Sequence, residues 1–231
     1  MLHDVTFSAP TGTQRSNDPK CAGRVGTVRI GLPPRGRDIP VPASTRQTIL
    51  AAAEASFYGE GIRGTTMEVI AARAGLTKRT LYHHFRSKDD LVAACLSQLG
   101  GAERDRYAAI CGTRGSVEQR VRALFTALAQ EVRDPRWKGC CFARAAGELA
   151  GLPGHPGIVA ARAHRKAIEA WLIGLLAGGG VSGAPVLARR IVLLLDGAIV
   201  QGFLHHDPAY VLDAGEMAAE QVEANLGTVS P

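Results

Sequence analysis

The chain has 231 residues, a formal net charge of +6, and 46% hydrophobic residues. That length suits one large domain or two small ones, and it is ample for a buried core. The charge excess lies towards the N-terminus, with +3 from residues 1–44, +2 from residues 45–100 and +1 from residues 101–231. This distribution is compatible with a polyanionic partner of the N-terminal part, although it does not require one.

Two locations are disfavoured by the sequence. No charged start followed by a long apolar run is present, so we expect no secretory signal. The most apolar later stretch, VLARRIVLLLDGAIVQGFL, contains Arg189, Arg190 and Asp196, which argues against a membrane span. The five cysteines show no C-x-x-C spacing. We therefore expect a reduced cytoplasmic protein with no membrane partner.

The first 42 residues hold six of the twelve prolines and have no apolar periodicity. This composition predicts a disordered, mildly basic arm over residues 1–42. Its arginines could alternatively reach along DNA, as basic arms sometimes do; they are Arg24, Arg29, Arg35 and Arg37.

From Ser44 onward the periodicity predicts helices. A first helix begins near Ser44 or Thr45 and ends at Gly59 or Gly61. A second helix, capped by Thr65 or Thr66, carries apolar residues at i, i+3, i+4 and i+7, namely Met67, Ile70, Ala71 and Ala74.

Gly75 ends the second helix, and Thr77 begins a third, short helix. Leu81 and Phe85, four residues apart, are expected to face inward and to leave the polar side chains outward. Ser87 is expected to cap a fourth helix, which carries two acids in its first turn and runs to about Leu99.

Further helices are predicted near 101–111, 117–133, 141–150, 156–177, 184–205 and 209–226. Strand alternation is nearly absent, so we predict an all-α fold. The expected architecture is an N-terminal helix-turn-helix domain of three helices, over residues 43–103, followed by a larger helical domain over residues 104–231.

Two short helices separated by a glycine-containing turn are typical of a DNA-binding helix-turn-helix. The second helix of such a motif lies in the major groove, where lysine and arginine can bind guanine O6 and N7. A capped helix start such as Thr77 also suits a phosphate. The polar stretch LTKRTLYHHF, residues 76–85, is accounted for by such a surface.

The segment TTMEVIAARAGLTKRTLYHHFRSKDDLV, Thr65 to Val92, resembles the DNA-binding region of the tetracycline-repressor (TetR) family of bacterial transcriptional regulators. The resemblance extends back through ILAAAEASFYGEGIRG and covers residues 43–103. It implies phosphate-contacting helix starts, base-reading positions and backbone contacts at Thr66, Thr77, Lys78, Arg79, Thr80, Tyr82, His83 and Lys88.

The second half resembles the C-terminal domains of part of the same family, which implies a ligand sensor and a homodimer. Apolar and aromatic residues at helical spacing suggest an effector pocket containing Phe125, Leu128, Trp137, Phe142, His164 and Trp171. The helix predicted at 184–205 is apolar over more than half of its surface, so it must be buried on two sides. We expect its dimer interface to include Leu187, Ile191, Leu194, Ile199 and Phe203.

These observations predict a regulator that binds palindromic operator DNA as a homodimer and is released by a small-molecule effector, and the resemblance implies that it is a repressor. The alternatives are an architectural DNA-binding dimer without a sensor and a regulator that senses oxidants through Cys140 and Cys141. An enzyme combining either cysteine with His155 or His164 lacks an orienting third group in the sequence. We therefore expect no enzyme activity, no cofactor and no metal.

Overall fold

The computed structural model describes residues 44–226, and this part of the chain is all-α. The arm predicted over residues 1–42 lies outside the described residues. The helices are α1 (Thr45–Gly64), α2 (Met67–Arg73), α3 (Lys78–His84), α4 (Lys88–Cys111), α5 (Val117–Val132), α6 (Cys141–Glu148), α7 (Pro156–Gly178), α8 (Ala184–His205) and α9 (Ala209–Ala224). The described residues contain no β-strand, only one isolated antiparallel bridge between Val181 and Leu226.

The predicted caps begin the first helices. The Ser44 hydroxyl accepts a hydrogen bond from the Gln47 amide at 3.3 Å, at the start of α1. Helix α1 is interrupted by a kink at Gly61, one of its two predicted ends, where φ is +83°, and a short helical segment then continues to Gly64. Glycine adopts this left-handed conformation without the steric cost that other residues meet there.

Helices α1, α2, α3 and the start of α4 enclose one apolar cluster. This N-terminal core contains Ile49, Leu50, Ala52, Ala53, Met67, Ile70, Ala71, Leu81, Phe85, Leu91 and Cys95. The two inward residues predicted for the third helix, Leu81 and Phe85, are 0% and 4% exposed. They fix which face of α3 remains on the surface.

Helix α4 differs from the prediction, which had separate helices before and after Gly100. The observed helix runs unbroken for 24 residues through Gly100 and Gly101. Gly100 is buried, and a Cβ atom there would lie 3.0 Å from Nδ1 of His164. This glycine therefore permits close packing of α4 on α7 and does not end the helix. The predicted domain boundary at residue 103 falls inside α4.

The C-terminal helices pack around a second, larger core. Helix α5 packs mainly on α9, α7 packs on α4 and α8, and α8 packs on α9. This C-terminal core includes Tyr107, Phe125, Ile168, Ile191 and Val222. A third cluster, the junction core, joins α1, α4, α6 and α7 through Ile62, Val92, Leu96, Phe142, Ala145, Leu149 and Ala161. Within residues 44–226 no helix is long and apolar enough to cross a membrane.

We expect Gly215→Ala to destabilise the fold. A Cβ atom at Gly215 in α9 would lie 2.6 Å from Cβ of Phe125 in α5, so the two helices would have to separate. Such overpacking typically costs about 1–3 kcal/mol of unfolding free energy. Urea denaturation followed by circular dichroism measures the change.

Gly174→Ala is the matched control. A Cβ atom at Gly174 in α7 would have no heavy atom within 4 Å, and its φ is not in the left-handed region. Its higher helix propensity should stabilise the protein by up to about 1 kcal/mol. Equal stability of the two variants would contradict the close contact of α5 with α9.

Candidate nucleic-acid interface and interior cavities

Helix α3 presents a polar face because its apolar residues are fixed in the N-terminal core. The Thr77 hydroxyl accepts a hydrogen bond from the Thr80 amide at 3.1 Å, which caps the helix. Lys78 and Arg79 in the first turn are exposed, and Tyr82 is 41% exposed. The face is therefore available to an external ligand.

The starts of α2 and α4 flank this face. The Thr66 hydroxyl accepts from the Val69 amide at 3.3 Å, and the Ser87 hydroxyl accepts from the Asp90 amide at 3.0 Å. Lys88, the first residue of α4, is partly exposed. Helix starts carry partial positive charge and free amides, which favour phosphate groups.

The predicted DNA contacts lie on these three elements: Thr66 begins α2, Thr77, Lys78, Arg79, Thr80, Tyr82 and His83 lie in or next to α3, and Lys88 begins α4. Thr80 is half-buried, and the others are exposed or partly exposed. His83 contacts His84 edge to face, with 5.4 Å between the ring centroids.

Sequence reasoning missed an ion pair on this face. The ammonium of Lys78 binds the carboxylate of Glu68 in the first turn of α2. The hydrogen bond from Lys78 is the main cause that lowers the pKa of Glu68 to about 2. The ammonium also lies 5.8 Å from the ring centroid of Tyr82. No motif signals this pair, because Glu68 and Lys78 meet only once the turn has folded.

The C-terminal domain contains a buried polar group of α4 and α7. Nε2 of His164 lies 2.8 Å from Oε2 of Glu103, and the Tyr107 hydroxyl donates to Oε1 of Glu103 at 2.7 Å. Burial alone raises the pKa of Glu103, but His164 and Tyr107 outweigh it and hold the pKa below its usual value. The ring of Phe142 stacks on His164 at 3.7 Å. The group thus ties α4, α6 and α7 together.

A second contact joins the start of α7 to the start of α4. His155 caps α7, where its Nδ1 accepts from the Gly157 amide at 3.0 Å. Its Nε2 lies 3.1 Å from a carboxylate oxygen of Asp89, the neighbour of Lys88. The start of α7 is therefore in contact with the helix start that flanks the α3 face.

Two small cavities lie beside α6. One of about 40 Å³ lies between α1, α4 and α6. Another of about 20 Å³ is lined by residues including Tyr107, Leu128, Trp137 and Cys140. Effector pockets of soluble proteins usually hold about 300–1,000 Å³. In this conformation neither of the two cavities is large enough for an effector of that size.

The six residues predicted for the effector pocket are not all brought together. Leu128 and Trp137 line the smaller cavity, and Phe142 with His164 lies beside it in the interior. Trp171 is half-buried against Tyr107, with ring centroids 6.2 Å apart. Phe125 packs on Gly215 between α5 and α9 and lines neither cavity.

The predicted dimer residues require a correction. Leu187, Ile191 and Ile199 are 3%, 0% and 5% exposed, because they form the chain's own C-terminal core. Leu194 is partly buried against that core. Phe203 is 38% exposed, but its ring contacts Trp137 with 6.4 Å between the centroids.

Other apolar residues of α8 and α9 are exposed instead. Val186, Leu193 and Val200 follow one another at seven-residue spacing and lie on one side of α8. This exposed apolar face of α8 and α9 comprises Val186, Leu193, Val200, Leu204 and Met217. The spacing was visible in the sequence, but periodicity alone does not tell an inner face from an outer one when both are apolar.

The histidines and cysteines considered for catalysis have other partners. His155 and His164 contact Asp89 and Glu103 respectively. Cys140 accepts a hydrogen bond from Nη2 of Arg165 at 3.2 Å. Among residues 44–226 no group of three or more His, Cys, Asp or Glu side chains is arranged to hold a metal ion.

The fold and the exposed face of α3 define a helix-turn-helix protein with a helical C-terminal domain. Comparison with known proteins gives the family. Residues 49–95 match the family described as bacterial regulatory proteins, tetR family. A crystal structure of a TetR-family transcriptional regulator from Streptomyces coelicolor is 34% identical, covers 81% of this chain and 96% of its own, and superposes with a TM-score of 0.66. The chain belongs to the TetR family of transcriptional regulators.

Two further likenesses are more limited. The HTH-type transcriptional repressor KstR2 of Mycolicibacterium smegmatis is 31% identical over 112 residues, which are 48% of this chain and 55% of KstR2. The chain thus matches about half the length of this curated relative. The reduced form of NemR from Escherichia coli has a TM-score of 0.68 at 22% identity, which shows a common fold only.

Proposed function

We propose that the protein is a transcriptional repressor that binds palindromic operator DNA as a homodimer and releases it when a small-molecule effector binds. The observation that carries the proposal is the exposed polar face of α3, flanked by the capped starts of α2 and α4. The repressor activity named for KstR2 supports the direction of regulation. Such a protein would act on DNA in the bacterial cytoplasm.

DNA recognition would proceed through α3 in the major groove. Arg79 is exposed and forms no ion pair with another residue of the described part of the chain, so its guanidinium is free for guanine O6 and N7. Lys88 and the amide ends of α2 and α4 would bind phosphates on either side. Thr66, Thr77 and Thr80 would add hydroxyl contacts.

Dimerisation would use the exposed apolar face of α8 and α9. Leu193 is 66% exposed and Leu204 is 62% exposed, so burying both side chains against a second copy would be favourable in free energy. Gly197, between Leu193 and Val200, is also exposed and has open space above its Cα atom. A two-fold dimer would place two α3 helices in successive major grooves about 34–36 Å apart.

Effector binding would act through α6, because residues of α6 line both cavities. Nη1 of Arg144 in α6 donates to the Tyr58 carbonyl of α1 at 3.1 Å. Oε2 of Glu148 accepts from the Arg63 amide of α1 at 2.9 Å. Nζ of Lys138, just before α6, donates to the Gly59 carbonyl at 2.7 Å. A ligand that displaces α6 would therefore break contacts that hold α1 of the DNA-binding domain.

The alternatives receive less support. Burial raises the pKa of the Cys140 thiol, although Arg165 opposes the shift, and burial raises that of Cys141 well above its usual value. Both thiols are therefore poor nucleophiles near neutral pH, which weighs against oxidant sensing. An architectural DNA binder would have no need for the α6 contacts to α1.

The DNA-binding proposal predicts different effects at two cations. Lys88→Ala should weaken binding to all sequences alike and lower the salt slope by about one unit, because one phosphate contact is lost. Arg79→Ala should cost about 1–3 kcal/mol on the operator and relax base preference at one position. Fluorescence anisotropy on operator and random duplexes over a salt series measures both. Binding like that of the parent in both variants would contradict the role of α3.

The dimer proposal predicts that Leu193→Glu yields a monomer that no longer binds operator, since the buried charge would lack a partner. Analytical ultracentrifugation gives the oligomeric state. Leu152→Glu is the matched control, because Leu152 is 51% exposed but lies between α6 and α7. A dimeric Leu193→Glu variant would place the interface elsewhere.

The effector proposal predicts reciprocal coupling. An effector found by thermal-shift screening should lower operator affinity about 5- to 150-fold, and operator should weaken effector binding by the same factor. Calorimetry with and without operator measures this factor. Arg144→Gln should reduce it by removing the donor to α1, whereas Arg136→Gln, which disrupts only a pair with nearby Asp134, should leave it unchanged. Equal effector affinity with and without operator would exclude the coupling.

A further inference from the structure

The ion pair between Glu68 and Lys78 lies on the face that the proposed function assigns to DNA. Their side chains remain 55% and 56% exposed, so the pair is formed at the surface and not inside the domain. Glu68 follows Thr66, the cap of α2, by two residues, and Lys78 is the first residue of α3. The carboxylate therefore lies beside the first turn of α3, on the same face as Lys78.

Lys78 differs in this respect from its cationic neighbours. Arg79 and Lys88 form no ion pair within the described residues, so their charges are available to any DNA sequence. The charge of Lys78 is already offset by Glu68, and the same ammonium lies near the ring of Tyr82. Hydrogen bonding with Glu68 also raises the pKa of Lys78, so the ammonium stays protonated.

We propose that Glu68 is a specificity-determining residue, which prevents Lys78 from acting as a general phosphate contact and reserves it for an acceptor-rich base edge. The inference rests on the proposed function, since it assumes that α3 lies in the major groove. Glu68 would thus take part in DNA recognition although its own charge is negative.

The number of donors on an ammonium explains the discrimination. Lys78 has three N–H donors, of which one can bind Glu68 while the others bind O6 and N7 of a guanine. On an operator with guanine at that position, the ion pair and the base contacts are compatible. A phosphate contact would instead bring a second anion close to the Glu68 carboxylate, and the two anions would repel each other.

The test compares Glu68→Gln with the parent on two probes: a random-sequence duplex, and a duplex enriched from a randomised pool by the parent protein. Binding of Glu68→Gln to the random duplex should tighten about two- to fivefold, as for loss of an exposed pair. The salt slope should steepen by about 0.9, because Lys78 now neutralises one more phosphate. The enriched duplex should gain less than the random one, so the specificity ratio falls.

Glu60→Gln is the matched control. Glu60 pairs with Arg73 at 2.9 Å in the same domain, and its substitution adds the same positive charge without freeing Lys78. It should change both affinities by the same factor. The double variant Glu68→Gln with Lys78→Gln should lose the gain on random DNA, because the ammonium responsible for it is absent.

Two outcomes would overturn the inference while the proposed function stands: equal effects of Glu68→Gln and Glu60→Gln on both probes, or no tightening on random DNA. A gain that persists in the double variant would also overturn it, since the gain would then not pass through Lys78. Failure of the parent itself to bind either duplex would refute the proposed function, and the role of Glu68 with it.

Discussion

The structure depends on one helix that belongs to three cores. Within α4, Leu91 and Cys95 pack in the N-terminal core, Val92 and Leu96 pack in the junction core, and Tyr107 packs in the C-terminal core. A close-packed interior does not deform continuously, so such a helix moves as a unit or not at all. Tyr107 and Lys88 therefore lie on one continuous helix that all three cores hold in place.

The charged groups are used differently in the two parts of the chain. In the interior, Glu103 contacts His164 and Tyr107, and Arg165 forms an ion pair with Asp196, because a buried charge without a partner is costly. The contact of Glu103 with His164 fixes α4 against α7, whereas the partly exposed pair of Arg165 and Asp196 joins α7 to α8. On the α3 face, Arg79 has no ion-pair partner among the described residues, which suits a surface that binds an external anion. The exception on that face is Lys78, whose partner Glu68 gives it a restricted role in the proposed recognition.

Local features of the sequence predicted most of the helices. The caps at Ser44, Thr66, Thr77 and Ser87 depend on residues three positions apart, and all four accept the expected backbone hydrogen bond. Leu81 and Phe85 were identified as inward residues because their four-residue spacing is also a local feature of the sequence. The break predicted at Gly100 was wrong because the reason for that glycine is His164, 64 positions later in the chain. Contacts of this kind have no local signature.

The lack of a local signature also explains why the buried and exposed faces of α8 were not distinguished from the sequence. A helix that is apolar on most of its surface must bury two sides, and this much was evident from composition. Which side faces the chain's own core depends on how α5, α7 and α9 pack around α8, and that information is tertiary. Ile191 and Leu193 are both apolar, yet they are 0% and 66% exposed. Two residues only two positions apart thus divide this apolar helix into a face buried in the chain's own core and a face exposed to solvent.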